Sequence, residues 1–218
     1  MEQQILFLIN RQWTDPGLDL FMAAMSSLAL WTVPMIAAVV LVTLFGGFRA
    51  RAMLLVIAVA LGTGGGLLCD EIKNTVHRPR PRDMLADVRR VELQRTNPVV
   101  LALFQKADVQ LSRPKPGIVT GHSFPSAHAY NNFCIAMILA IFYRRWGWLY
   151  FFPAAVVGYS RMYVGAHWPT DVLAGAFLGC GCALLTIALC EFLWRRLGRK
   201  IIPKMYAAHP GLLGDSVT

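Results

Sequence analysis

Apolar residues in this chain come in long blocks, and the polar residues gather at the block edges. Leu18 to Phe45 is apolar for more than the ~20 residues that a bilayer-spanning helix needs. Pro34 interrupts it, which predicts either a kink or a surface helix followed by a span. Gly46-Gly47 and the basic stretch Arg49 to Arg51 end it. A second block, Ala52 to Leu68, runs on through Cys69, Asp70 and Glu71 to Lys73 before Pro79 and Pro81 stop the helix. Its glycines, Gly62 and Gly64 to Gly66, allow close helix packing. Three further blocks follow: Phe124–Ser126 to Phe142, Trp148 to Val164, and Pro169 to Leu193, where Pro169 suits a first helical turn.

The segments between these blocks are of several kinds. Gln3 to Trp13 sets Ile5, Leu6, Leu8 and Ile9 against Gln3, Gln4, Asn10 and Arg11, the pattern of an interfacial amphipathic helix. It lacks the basic start and the cleavage site of a signal peptide. Asp15-Pro16-Gly17 reads as a turn. Arg82 to His122 is a polar loop of roughly forty residues, with a short helix expected near Pro98 to Ala107; such a long connection is usually functional or mobile. His209 to Thr218 reads as a frayed tail. The prediction is one all-α domain, residues 1–218: a polytopic membrane helix bundle. It has about five transmembrane helices, with six possible. The N-terminal interfacial helix and a long extracytoplasmic loop complete it.

Composition agrees with a membrane solvent. Hydrophobic residues make up 56% of the 218 and charged residues 15%, too few charges for a soluble domain of this size. The five cysteines all lie in apolar runs and read as small hydrophobes rather than as disulfides or metal ligands. Net charge is +9. The basic residues flank spans, so they point to the bilayer surface and not to nucleic acid. Arg49 and Arg51, Arg144 and Arg145, and the basic C-terminal tail (residues 195–218) all fall on one side of a five-span bundle. The positive-inside rule makes that side cytoplasmic. The implied location is the inner (plasma) membrane of a bacterium.

Three polar clusters then share the opposite, outer side: Lys73 to Pro81, Pro125-Ser126-Ala127-His128, and Ser160-Arg161 with His167 and Asp171. Each cation alone reads equally well as a snorkelling interface residue. Together Lys73, Arg80 and Arg161 supply the positive donors that a tetrahedral phosphate needs. Ser126 is either a plain helix cap or a hydroxyl donor beside free backbone N–H groups. His167 and Asp171 are spaced so that a carboxylate could fix one ring nitrogen and leave the other basic, the arrangement of a nucleophile and its orienter. Ser160, part of the third motif, and His77, Arg78 and His122, close to the phosphate-binding candidates, are supporting candidates. No carboxylate-rich ligand set accompanies the histidines, so no metal and no cofactor are expected.

Lys73 with Arg80-Pro81, Pro125-Ser126-Ala127-His128, and Ser160-Arg161 with His167 and Asp171 resemble, in type and in every spacing, the three motifs of the type 2 phosphatidic acid phosphatase family. That family also includes vanadium haloperoxidases. The likeness covers residues 73–171, and Ala127 stands where the family usually has Gly. The resemblance implies that His167 attacks phosphorus to form a phosphohistidine and that Asp171 orients and charge-balances it. It implies that His128 protonates the leaving oxygen and then helps activate water. Lys73, Arg80, Ser126, Arg161 and the Ala127 N–H would hold the phosphoryl oxygens. Within the family the small five-span build favours an undecaprenyl-diphosphate phosphatase. Phosphatidylglycerophosphate, phosphatidate and lipid A 1-phosphatases are the alternatives. A haloperoxidase-like enzyme and a non-catalytic membrane protein are the readings from other classes. The partners implied are a lipid phosphate and the bilayer; the sequence assigns no oligomeric state.

Overall fold

A computed structural model describes residues 1–115 and 117–213. The chain opens with α1 (Glu2–Phe7), prolonged by a π-helical turn over Leu8–Gln12. Leu6 and Ile9 are buried while Gln3, Gln4 and Arg11 are exposed, as an amphipathic helix requires; Ile5, on the apolar side of the pattern, is exposed too. Asn10, on the polar side of that pattern, is fully buried. Its amide donates to the carbonyls of Arg89 (2.8 Å) and Tyr163 (2.7 Å) and accepts from the Arg89 N–H. It thus pins α1 to the later part of the chain.

Helix α2 (Pro16–Ser26) starts where the Asp15 carboxylate accepts from the Gly17 and Leu18 N–H groups, a cap typically worth ~1 kcal/mol. Helix α3 (Leu28–Phe45) follows at once, with Ser27 as its cap. The first apolar block therefore divides at Ser27, not at Pro34, which lies inside α3. Ser27 is extended and its hydroxyl accepts from the Leu30 N–H, so a new helix starts there. No residue of α3 is buried by protein. Val33 is 73% exposed and Phe45 81%. Leaving such side chains in water forfeits roughly 1.5–3 kcal/mol each, so this helix is built to face lipid.

Helix α4 (Phe48–Ala60), a π-helical stretch over Leu61–Leu68 and α5 (Cys69–Val76) form one rod of 29 residues. The glycine run does what its pattern predicts. The Tyr130 hydroxyl lies against Gly64 and the Asn131 side chain against Gly65; a Cβ on Gly64 would sit 1.6 Å from the Tyr130 oxygen. The rod ends at His77, which adopts a left-handed conformation.

After α6 (Pro81–Met84), the polar loop contains something that an all-α reading lacks. Strands β1 (Arg89–Glu92) and β2 (Asp108–Leu111) pair antiparallel, Arg89 opposite Leu111 and Glu92 opposite Asp108. Each has four residues, too short for a period-two pattern to show. The short helix expected between Pro98 and Ala107 is a 3-10 turn at Val99–Phe104.

Helices α7 (Ala127–Phe142), α8 (Phe151–Tyr163) and α9 (Pro169–Leu193) complete the bundle. The α7–α9 contact is close because Gly175 and Gly179 face the carbonyls of Ser126 and Tyr130. A Cβ there would come within 2.5 and 2.3 Å of those oxygens. Tyr130, Cys134, Ile138 and Phe142 pack with Val56, Ala60, Ala183 and Ile187 to form the main core. Helices α10 (Arg199–Ile201) and α11 (Pro203–Ala208) follow. The segment beyond them is docked rather than frayed. The His209 ring stacks on Phe48, its carbonyl accepts from the Trp194 indole (2.9 Å), and Leu212 is buried with its N–H on Glu191. Leu212 is apolar and completes the core beside α4. Residues 214–218 of the expected tail lie outside the described residues.

Among the described residues, three helices are long and apolar enough to cross a membrane: Leu28–Phe45, Phe48–Val76 and Pro169–Ile201. Helix α7, with 16 residues, is apolar but shorter, and α8 has 13 residues.

Candidate active site

The chain reaches His167 through a glycine hinge. Gly165 has φ +68°, and a Cβ on it would fall 2.6 Å from Val88 and 2.7 Å from the Arg89 carbonyl. Two backbone N–H groups, those of Ala166 (3.0 Å) and His167 (3.2 Å), then donate to the Arg161 carbonyl. The spacing between Arg161 and His167 is thus the length of a closed turn at the end of α8. The start of α7 is tied to the start of α9 by Ser126 N–H donating to the Asp171 carbonyl (3.0 Å).

His167 is 4% exposed. Its Nδ1 lies 2.7 Å from the Ser123 carbonyl oxygen. A carbonyl only accepts, so Nδ1 carries the proton and Nε2 keeps its lone pair. The nearest Asp171 oxygen is 3.7 Å from Nδ1. Asp171 is fully buried. It accepts from the Trp168 N–H (2.8 Å) through Oδ2 and from the Arg78 guanidinium (2.8 Å) through Oδ1. Its Oδ2 contact closes the first turn of α9, because His167 stands just outside that helix. Burial pushes the His167 imidazole down to about 4; Asp171 opposes this, and the Arg161 and Arg80 charges add to it.

Arg161, His167, Lys73 and Arg80 all lie close enough to act electrostatically on the His128 ring. The three clusters therefore meet at one place. Lys73 is paired with Asp70 (3.0 Å). Arg161 donates through Nη1 to the Ser26 carbonyl (3.3 Å) and hydroxyl. The Nε atoms of Arg80 and Arg161 are buried without a hydrogen-bond partner among the described residues. Gly121 lies over the Arg80 guanidinium. Ser126 is buried, and its hydroxyl accepts from the Ala129 N–H at 3.4 Å, so it serves as the α7 cap. Ala127 is the first residue of α7, half-buried and packed on the main core. His128 also lines an apolar cavity of about 200 Å³ with Leu28, Trp31, Tyr150, Pro153 and Val157.

The supporting candidates divide. Arg78 reaches Asp171 directly. His77 and His122 meet each other edge to face (4.7 Å), and among the described residues neither hydrogen-bonds to His167. The Ser160 hydroxyl is buried and donates to the Val157 carbonyl one turn back (2.7 Å), so its side chain serves α8. Sequence reasoning missed Ser123, Trp168, Thr170 and Glu2. Ser123 and Trp168 flank the motifs and could have been suspected. Glu2 carries no signal, since its contacts are with residues 76 and 168 positions away.

Comparison with known proteins follows the same outline. A family model described as the PAP2 superfamily matches residues 49–195. An undecaprenyl-diphosphatase of Sulfolobus acidocaldarius is 40% identical over 80 residues, which are 36% of this chain and 37% of that protein. The match thus spans little more than a third of that relative. A lipid A 4'-phosphatase of Bacteroides thetaiotaomicron is 31% identical over 190 residues, 82% of this chain and 72% of that one. The crystal structure of Aquifex aeolicus LpxE superposes with a TM-score of 0.60 at 24% identity, covering 86% of this chain and 94% of that one, a likeness of fold. All three polar motifs lie inside the matched stretch and at one place in the bundle, and the chain belongs to the PAP2 superfamily.

Proposed function

We propose that this protein is a metal-independent membrane lipid phosphatase that works through a phosphohistidine. His167 Nε2 attacks phosphorus, the P–O bond to the lipid breaks, and His128 gives the departing oxygen a proton. Water, deprotonated by His128, then cleaves the P–N bond, releasing phosphate and restoring His167. Asp171 balances the charge that develops on the imidazole. Lys73, Arg80, Arg161, Ser126 and the Ala127 N–H hold the phosphoryl oxygens, where fixed cations stabilise the spreading charge that a metal would otherwise meet. The observation that carries this reading is the His167 ring itself. It is buried, held with Nδ1 protonated, and set beside two arginines whose buried Nε–H groups have no partner among the described residues. No group of three or more His, Cys, Asp or Glu among the described residues is placed to hold a metal.

The substrate favoured is undecaprenyl diphosphate, supported by the Sulfolobus relative's name. The longer Bacteroides match favours a lipid A phosphate as the second reading. With five spans and the basic loops inside, the site faces the periplasm or cell exterior. The test is phosphate release from purified undecaprenyl diphosphate, lipid A, phosphatidylglycerophosphate and phosphatidate in the presence of a strong chelator. Fastest turnover of the polyprenyl diphosphate is expected. His167→Ala should abolish release, and the wild type quenched during turnover should carry acid-labile phosphate on histidine. Activity in His167→Ala would remove the mechanism; a faster lipid A reaction would move the substrate.

A further inference from the structure

Arg78 lies inside the first polar cluster, between Lys73 and Arg80, where the resemblance gives it no role, yet it touches both groups that face His167 Nδ1. Its Nη1 donates to Asp171 Oδ1 (2.8 Å) and to the Thr170 hydroxyl (2.6 Å). Its carbonyl accepts from the Ser123 N–H (2.7 Å) and, at 3.2 Å, from the Ser123 hydroxyl. The next carbonyl, Pro79 O, takes the Trp168 indole N–H (3.0 Å). The other end of the guanidinium is held from α1: Nη2 donates to Glu2 Oε2 (2.7 Å), and Glu2 Oε1 accepts from the Thr170 N–H and hydroxyl. Burial alone would raise the Glu2 carboxyl; the Thr170 hydrogen bonds and the Arg78 charge outweigh it and hold the group below the usual carboxylate range. A forked guanidinium suits this place because it meets two carboxylates at once in fixed geometry.

We propose that Arg78, clamped by Glu2 of the interfacial helix, is a positioning residue that holds Asp171 and Ser123 against His167. The inference rests on His167 being the nucleophile. The groups that face the imidazole are Asp171 on α9, Arg161 on α8, Arg80 in the segment after α5, and His128 on α7. Arg78 acts through the first of these. With Arg78 in place, part of the Asp171 charge is spent on the guanidinium. Without it, Asp171 stabilises the imidazolium more strongly, and His167 becomes protonated at higher pH.

The experiment is kcat, KM and the pH profile of kcat/KM for the full chain carrying R78Q, R78K or E2Q, with His167→Ala alongside. R78Q should lower kcat about 10- to 100-fold, as loss of a partner that orients a histidine does, with KM changed by no more than about twofold. Its acid limb should move to higher pH. R78K restores the charge, so the acid limb returns, while kcat recovers only in part because an ammonium cannot fork. E2Q should lower kcat by a few fold, roughly, through a looser Arg78. Wild-type kcat and an unmoved acid limb in R78Q would overturn the proposal. Should R78Q not fold, the same result in both R78K and E2Q would overturn it. Turnover by His167→Ala would instead overturn the nucleophile assignment, a separate outcome.

Discussion

The Ser123 carbonyl oxygen stands 2.7 Å from His167 Nδ1, a full ångström nearer than the closest oxygen of Asp171 at 3.7 Å. Two tasks often given to one carboxylate are thus divided here. A backbone carbonyl fixes which nitrogen bears the proton, and a buried carboxylate supplies the opposing charge. The carbonyl is itself held in place, because Ser123 N–H donates to the Arg78 carbonyl and the Ser123 hydroxyl is shared between Arg78 and Pro79.

This division predicts an uneven response to substitution. Where a carboxylate alone sets the tautomer, its amide replacement costs about 10⁴ in kcat. Here Asp171→Asn leaves the Ser123 contact intact and removes only the countercharge. Its kcat should fall roughly 10²-fold, the scale of one charge-assisted interaction, and stay clearly above that of His167→Ala. Single-turnover rates of phosphohistidine formation check it. Equal loss in the two variants would mean that the carbonyl does not hold the ring during reaction.

The pH dependence follows from burial. His167 is pushed from an ordinary 6.5 to about 4, so it is neutral throughout the physiological range, as the proposed nucleophile must be. The acid limb of kcat/KM should therefore lie near pH 4 and not near 6.5. The same shift bears on stability. The unfolded chain takes up this proton near 6.5 and the folded one only near 4, so the contribution of neutral His167 is complete above 6.5 and is lost as pH falls toward 4. A pH–rate profile together with thermal unfolding between pH 4 and 7 checks both signs.

Much of this was readable from residue pattern. Helix α9 begins at the residue expected, because Pro169 opens it; its α-helical part ends at Leu193, where a π-helical turn carries the rod on to Ile201. The glycines of the second block mark a real close approach. What pattern could not show is what depends on distant partners. Helix α2 separates from α3 because Ser27 offers a cap, a choice that the apolar run hides. The β1–β2 pair is tied to the N-terminal helix by Asn10, which reaches across to Arg89. In the candidate site, side-chain types and spacings single out His128, His167 and the cations as candidates, but a backbone acceptor such as Ser123 O has no residue signature. Glu2 joins the network only once α1 has docked.

The junction between α7 and the π-helical stretch that follows α4 should be intolerant of bulk. The Tyr130 hydroxyl donates to the Ala60 carbonyl (3.1 Å) and occupies the space that a side chain at Gly64 would need. Gly64→Ala should lower the unfolding temperature in detergent by the equivalent of about 1–3 kcal/mol, the usual cost of overpacking a buried contact. Tyr130→Phe alone should cost about 1 kcal/mol for the lost hydrogen bond. In combination it should relieve part of the Gly64→Ala loss, since it removes the oxygen that clashes. A double-mutant cycle showing simple additivity would mean that the two residues do not compete for one space.

Orientation can be read with two engineered thiols. Gln110 lies exposed on β2 in the polar loop, and Arg51 lies exposed in the first turn of α4 beside the basic connection after α3. The native cysteines are buried or half-buried. An impermeant thiol reagent therefore reports chiefly on the introduced positions. With the basic connections on the cytoplasmic side, Gln110→Cys should react in intact cells and Arg51→Cys only after lysis. The reverse pattern would place His128 and His167 at the inner leaflet, where they would meet a lipid phosphate presented to the cytoplasm and not one returning from an outward-facing reaction.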